Sequence, residues 1–251
     1  MKQGIFICLF FVLAAATKSQ ETSLLLKEAN NFERQLKEPE ALNKYKDVLI
    51  TEPNNIIALL KAAELSCATG ERLQSKNDKR LTFESALAFA RRAVMADSLN
   101  ASSWSVLALA NSKLAEIEND NKKLGAWLNE AKLNADKALQ LNPALGFANF
   151  LEGKWMLDML AVNWPKRMAI KASFGKLPET DIDVAIDYLE KCKKTDPYFM
   201  LNYWILAKAY KEKNRPAQQM EVLNKLVKLP IRTFDDAAIK AEAQKMLNDL
   251  N

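Results

Sequence analysis

Four times along this chain an apolar run closes on a short polar turn, and each time a small residue stands twelve positions before the turn. The closings read KYKDVLITEPNN ending at residue 55, ARRAVMADSLN at 100, ADKALQLNPAL at 145 and YLEKCKKTDPYF at 199. Aligning Pro53, Ser98, Pro143 and Pro197 brings Ala41, Ala86, Ala131 and Ala185 into one register. In the runs that precede them, Ala29, Ala63, Ala108, Gly153 and Ala207 fall on a matching small position, among Phe32, Tyr45, Trp104, Met156, Leu189 and Tyr210. A small residue recurring inside paired helices lets two antiparallel helices approach closely. Self-similarity at such a period predicts stacked helical hairpins, each burying its face only against its neighbours.

The composition agrees with an all-helical chain. Only 6 glycines and 8 prolines punctuate 251 residues, alternating β-branched runs are missing, and apolar residues recur at spacings of three and four. The chemistry that such a chain lacks is equally informative. It has no histidine, which removes imidazole bases, Ser-His and Cys-His nucleophiles and most zinc sites. Its glycines are scattered, so no phosphate-cradling loop is present. Glu152, Asp158 and Asp187 have lysine or polar neighbours at helical spacing and read as solvated faces. No enzymatic activity, metal or cofactor is expected.

The repeat is similar to the tetratricopeptide unit, with Ala29, Phe32, Ala41, Tyr45 and Pro53 on that family's small, aromatic and proline positions. The resemblance implies an all-α, right-handed α-α superhelix. Unit 1 covers 22–55, units 2 (56–100) and 3 (101–145) carry about eleven extra residues between helices, and unit 4 (146–199) carries a long insert, 157–180. Unit 5 covers 200–231, with its second helix over 217–229. Residues 233–251 read as a helix capping the last hydrophobic face. The insert NWPKRMAIKASFGKLP, the ending KKTDP and the tail KLPIRTFDD further resemble the regulator-of-microtubule-dynamics type of these domains. Fold transfers from such a likeness far better than activity does.

The N-terminus reads as an export signal over residues 1–16. Lys2 precedes an apolar run from Ile5 to Ala16, and Ala14-Ala15-Ala16 offers a small-x-small cleavage site. Twelve helical residues span roughly 18 Å, short of a hydrocarbon core of about 30 Å. A periplasmic or secreted location follows as the expectation, and it sits poorly with a microtubule partner. Charges of both signs alternate and sum to only +5, so no nucleic-acid partner is expected. Cys67 and Cys192 lie in apolar helical stretches of different repeats and read as buried thiols rather than a disulfide.

In the tetratricopeptide family the first helix of each unit lines a concave groove, through its positions 2, 5, 9 and 12. Carried over, these positions include Asn30, Leu60, Glu64, Ser105, Leu109, Phe147, Phe150, Lys154, Trp204, Lys208 and Lys211. The resemblance therefore implies a protein or peptide partner held in the groove, its C-terminal half aromatic and basic. A shift of one position would instead put Phe147 and Phe150 in the inter-repeat core and pack Trp204 on the capping helix. The insert supplies a second surface: Trp164, Lys166, Arg167, Lys171 and Lys176, with no acid from 164 to 176. Basic and apolar residues at helical spacing suit a membrane surface, or an insert packed on the solenoid with its lysines in water. The expected role is a non-catalytic interaction or assembly adaptor of the cell envelope. A peripheral membrane module, or an accessory subunit of an envelope complex, stands as the alternative.

Overall fold

The computed structural model describes residues 20–176 and 179–250; the side chains at positions 164, 165, 169 and 173 lie outside the described set, as do the segment 1–16 expected to act as an export signal and residues 177–178 of the insert. Among the described residues the chain is all helix and turn, with no strand. Helix α1 (20–34) is followed by α2 (Glu38–Thr51), α3 (Ile56–Glu71), α4 (Lys76–Ala96), α5 (Ala101–Ile117), α6 (Asn121–Leu141) and α7 (Gly146–Leu160). Then come α8 (Trp164–Phe174), α9 (Ile182–Thr195), α10 (Met200–Glu212), α11 (Pro216–Leu226) and α12 (Asp236–Asn248).

Local signals set these helix ends. Asn55, Ser75, Asn100, Asp120, Asn163 and Asp181 each accept a backbone N–H of the helix they precede, which satisfies one of the orphan donors of a first turn. Proline occupies a first-turn position in α2, α8 and α11, where its missing N–H costs nothing. The two compact units, the first and fifth, share one tight turn. Leu36 (φ 61°) and Asn214 (φ 52°) are left-handed, and the next residues, Lys37 and Arg215, donate back to Phe32 and Tyr210 at 2.9 Å. That pattern closes a helix by returning amides to its last carbonyls.

The helices form hairpins α1–α2, α3–α4, α5–α6, α7–α9 and α10–α11, stacked in order, and α12 packs on α10 and α11. Ala41, Ala86, Ala131 and Ala185 are buried at the hairpin contacts, as are Ala29, Ala63, Ala108, Gly153 and Ala207. The core is a chain of linked clusters. One joins α1 to α4, a second joins α3 to α5, and the largest joins α5 to α12. Each cluster shares residues only with near neighbours, as stacked repeats require.

Two sequence expectations need correction. The extra residues of units 2 and 3 do not lie between helices: they lengthen them, so that α4 and α6 each reach 21 residues against 14 in α2. Their polar, proline-free composition continues a helix as readily as it makes a loop. The second helix of unit 5 starts and stops earlier than 217–229, because Pro216 sits in its first turn and it closes at Leu226. In the long insert, Asn163 caps a separate helix, α8, which Gly175 ends at φ 75°. Ile170 of α8 is fully buried with Ala131 of α6 and with Trp155 and Met159 of α7.

Candidate functional site: the concave wall and its closure

The first helices α1, α3, α5, α7 and α10 stand side by side, and ion pairs stitch them together. Lys61 of α3 bridges to Glu33 of α1 at 3.2 Å and to Glu64 of its own helix at 3.2 Å. Lys113 of α5 bridges to Glu71 of α3 at 2.7 Å and to Glu116 at 3.1 Å. Lys154 of α7 reaches Glu116 at 3.5 Å and Asp158 at 2.5 Å. Cation and anion thus alternate from helix to helix, and the neighbouring carboxylates hold the Lys61 and Lys113 ammonium groups above their usual range against the opposing cost of burial. The series stops at α10. Lys208 lies over the Trp204 ring, 5.2 Å from its centroid, and has no ion pair among the described residues. Burial, with the Lys154 charge adding to it, pulls its ammonium below the usual range. Lys211 is exposed beside it.

The expected groove residues divide. Asn30 is exposed, while Leu60, Leu109, Lys154 and Trp204 are half-buried. Glu64 is half-buried and committed to Lys61. Ser105 and Phe150 are not groove residues. Ser105 is fully buried and its hydroxyl donates to the Ala101 carbonyl at 3.1 Å. Phe150 is 2% exposed and meets Phe199 edge-on at 4.7 Å, with Phe147 half-buried against both rings. The cause is Phe199, which enters from the α9–α10 turn and packs against both rings. Aromatic pairs in such tilted arrangements stabilise a core beyond their area. Trp204, by contrast, packs partly against the core that includes α12 and leaves its ring face to Lys208.

Glu152 is a second correction. It is 0% exposed and neither carboxylate oxygen has a hydrogen bond. Its one cationic neighbour is Lys132 of α6, at 3.4 Å. Lys132 is also bonded to Asp136 at 2.6 Å and lies 5.8 Å from the Trp155 ring. Burial raises the Glu152 carboxyl to about 7, against the pull of Lys132. The lysine neighbours that suggested a solvated face lie on its own helix, whereas its environment is set by α6 and α9.

On α8, Lys166, Lys171 and Lys176 are exposed, Arg167 is half-buried, and none of the four has an ion pair among the described residues. Met168 is 45% exposed, while Phe174 turns in against Trp155 at 6.0 Å. The Trp164 side chain lies outside the described residues.

The least expected contact joins residues far apart in the chain. Arg72, the residue that ends α3, bonds Asp235 at 2.6 Å and pairs with Glu38 of α2. Its guanidinium sits 4.6 Å from the Phe234 ring centroid, and the Phe234 amide donates to Glu38 at 3.1 Å. The strap leading from α11 into α12 therefore touches units 1 and 2, so α12 caps unit 5 while its N-terminal end reaches the start of the solenoid. No local periodicity marks such a contact. Its one trace in the sequence is the tail KLPIRTFDD, whose Asp236 folds the strap by accepting the Arg232 and Thr233 amides at 2.7 and 2.8 Å.

The family model described as Regulator of microtubule dynamics protein 1-3 matches residues 25–251. The chain belongs to this family. Regulator of microtubule dynamics protein 1 of Mus musculus is 26% identical over 178 residues, covering 70% of this chain and 58% of that protein. The counterpart from Pongo abelii is 24% identical over 212 residues, covering 84% and 66%. The chain thus spans less than two thirds of the length of these curated relatives. Among solved structures, a thermophilic TPR protein of Thermus thermophilus superposes with a TM-score of 0.64 at 16% identity, over 89% of this chain and 99% of that one. The likeness shows the tetratricopeptide solenoid fold that the repeat register anticipates.

Proposed function

We propose that the chain is a non-catalytic interaction or assembly adaptor that holds an acidic, apolar-anchored segment of a protein partner at the C-terminal half of its concave wall. One observation carries this reading: the ion-pair series that neutralises each earlier helix ends at Lys208, a cation over an aromatic face with no anion of its own among the described residues. An aromatic ring that is half desolvated supplies contact area, and an unpaired lysine beside it selects and orients a carboxylate. The apolar segment Ile5–Ala16 would direct export, leaving the adaptor in the envelope. The test is affinity capture from an envelope extract, with the Trp204→Ala/Lys208→Glu double variant as control. Losing an anchor of this kind costs about 2 kcal/mol or more, roughly thirtyfold in affinity. One partner retained by the wild-type chain and lost with the double variant supports the reading; equal retention on both sinks it.

A second reading draws on the exposed cations of α8. In that reading they rest on an anionic membrane, and sedimentation with vesicles containing anionic lipid, but not with neutral vesicles, would favour it.

A further inference from the structure

Arg72 and Glu38 together read three features of the strap they hold. The guanidinium takes an aromatic ring on its face and a carboxylate on its edge, from adjacent residues, while Glu38 takes the backbone amide of the aromatic residue. In this pair Glu38 is 5% exposed and is paired with the half-buried Arg72, which stands at the end of α3. What it reads is largely exposed. Phe234 is 56% exposed and Ile231 46% exposed, so the strap buries little apolar surface in making the contact. A purely structural latch would gain most from burying its aromatic ring. Here the specificity lies in charge and hydrogen-bond geometry, and the energy of the contact is small enough for a competitor to overcome.

We propose that Glu38 and Arg72 form a recognition site for an aromatic–acidic dipeptide in a partner segment, occupied in cis by Phe234 and Asp235. The site stands apart from Lys208 and does not depend on the reading of the concave wall around it. A partner segment with an aromatic residue followed by an acid competes with the strap, and by taking the site it uncouples the last unit from the first two. The tether gives the strap a high local concentration, so a partner gains access in proportion to the fraction of time the strap is released.

The probe is a labelled synthetic peptide with the sequence of residues 229–238, LPIRTFDDAA, titrated against three full-length chains. The Phe234→Ala/Asp235→Ala variant, its own strap blunted, is expected to bind the peptide about tenfold more tightly than the wild-type chain does. Adding Arg72→Ala to that variant should abolish the binding. Circular dichroism confirms that each variant is folded. Wild-type protein provides an independent measurement: excess peptide should speed hydrogen exchange at the Phe234 amide, which Glu38 protects. Binding that survives Arg72→Ala, equal affinity of the wild-type and blunted chains, no binding to the blunted chain, or unchanged exchange at Phe234 would each overturn the proposal.

Discussion

Raising the pH from about 5 to 8 is expected to destabilise this chain, and replacing Glu152 with Gln should remove most of that loss. The sign follows from linkage. Glu152 has its ordinary value of 4.5 when unfolded, and burial in the folded chain raises it to about 7. The folded state therefore binds the proton more tightly, so the group's stabilising contribution is complete below about 4.5 and is lost as pH climbs through 7. A shift of that size corresponds to about 3 kcal/mol at most. The carboxylates held below their usual range, Glu118 by the Asp120 amide and Asp183 by Lys213, act in the other direction. Their contribution is present above the unfolded value and fades as pH falls through a still lower one, whereas Asp235, raised by burial, loses stability in the same direction as Glu152. Chemical denaturation at a series of pH values gives the comparison. A Glu152→Gln chain that declines as steeply as wild type would remove Glu152 as the cause. Lys132→Ala should deepen the loss at pH 8, since the one cation opposing burial is gone.

Gly153→Val is expected to be the most damaging single substitution in a hairpin contact, at about 3 kcal/mol. The other first helices carry alanine at this position, yet here even a Cβ would lie 2.9 Å from the Ala185 carbonyl oxygen and 2.8 Å from Leu189 Cγ. The first is backbone and cannot swing aside, so α7 and α9 must separate. Leu189 belongs to the largest core cluster, which links α9 to α10 and α11, and the separation is therefore felt through unit 5. Gly153→Ala should itself destabilise, despite the roughly 1 kcal/mol that alanine gains over glycine inside a helix. Urea midpoints for the three chains settle the order; a Gly153→Ala chain more stable than wild type would show that the two helices can move apart at little cost.

The hairpin architecture was legible because it is local. Small residues at fixed spacing, and the short polar turns and prolines that close the apolar runs, report on contacts within forty residues or so, and those contacts define a solenoid. The concave wall was half legible. Lys154 and Trp204 are half-buried and Lys208 is exposed, but Phe150 is core because Phe199, forty-nine positions later, covers it. Glu152 misled for a related reason: sequence spacing reveals the neighbours on its own helix, and its environment comes from α6 and α9. The Arg72 closure left no periodic signal, since it joins residues 163 positions apart. What a repeat sequence conceals is how strongly the array curves, because curvature accumulates from small rotations between units.

The two buried thiols give this curved array a built-in reporter. Cys67 lies in the cluster joining α3 to α5, Cys192 in the one joining α5 to α12, and both are free. Burial pushes each to about 12, so neither presents a thiolate to an alkylating reagent while its own hairpin stays shut. In a chain with Cys8 replaced, modification at position 67 times the opening of the front of the array and modification at 192 times the rear. The ratio of the two rates measures whether the molecule opens as one unit or frays from an end.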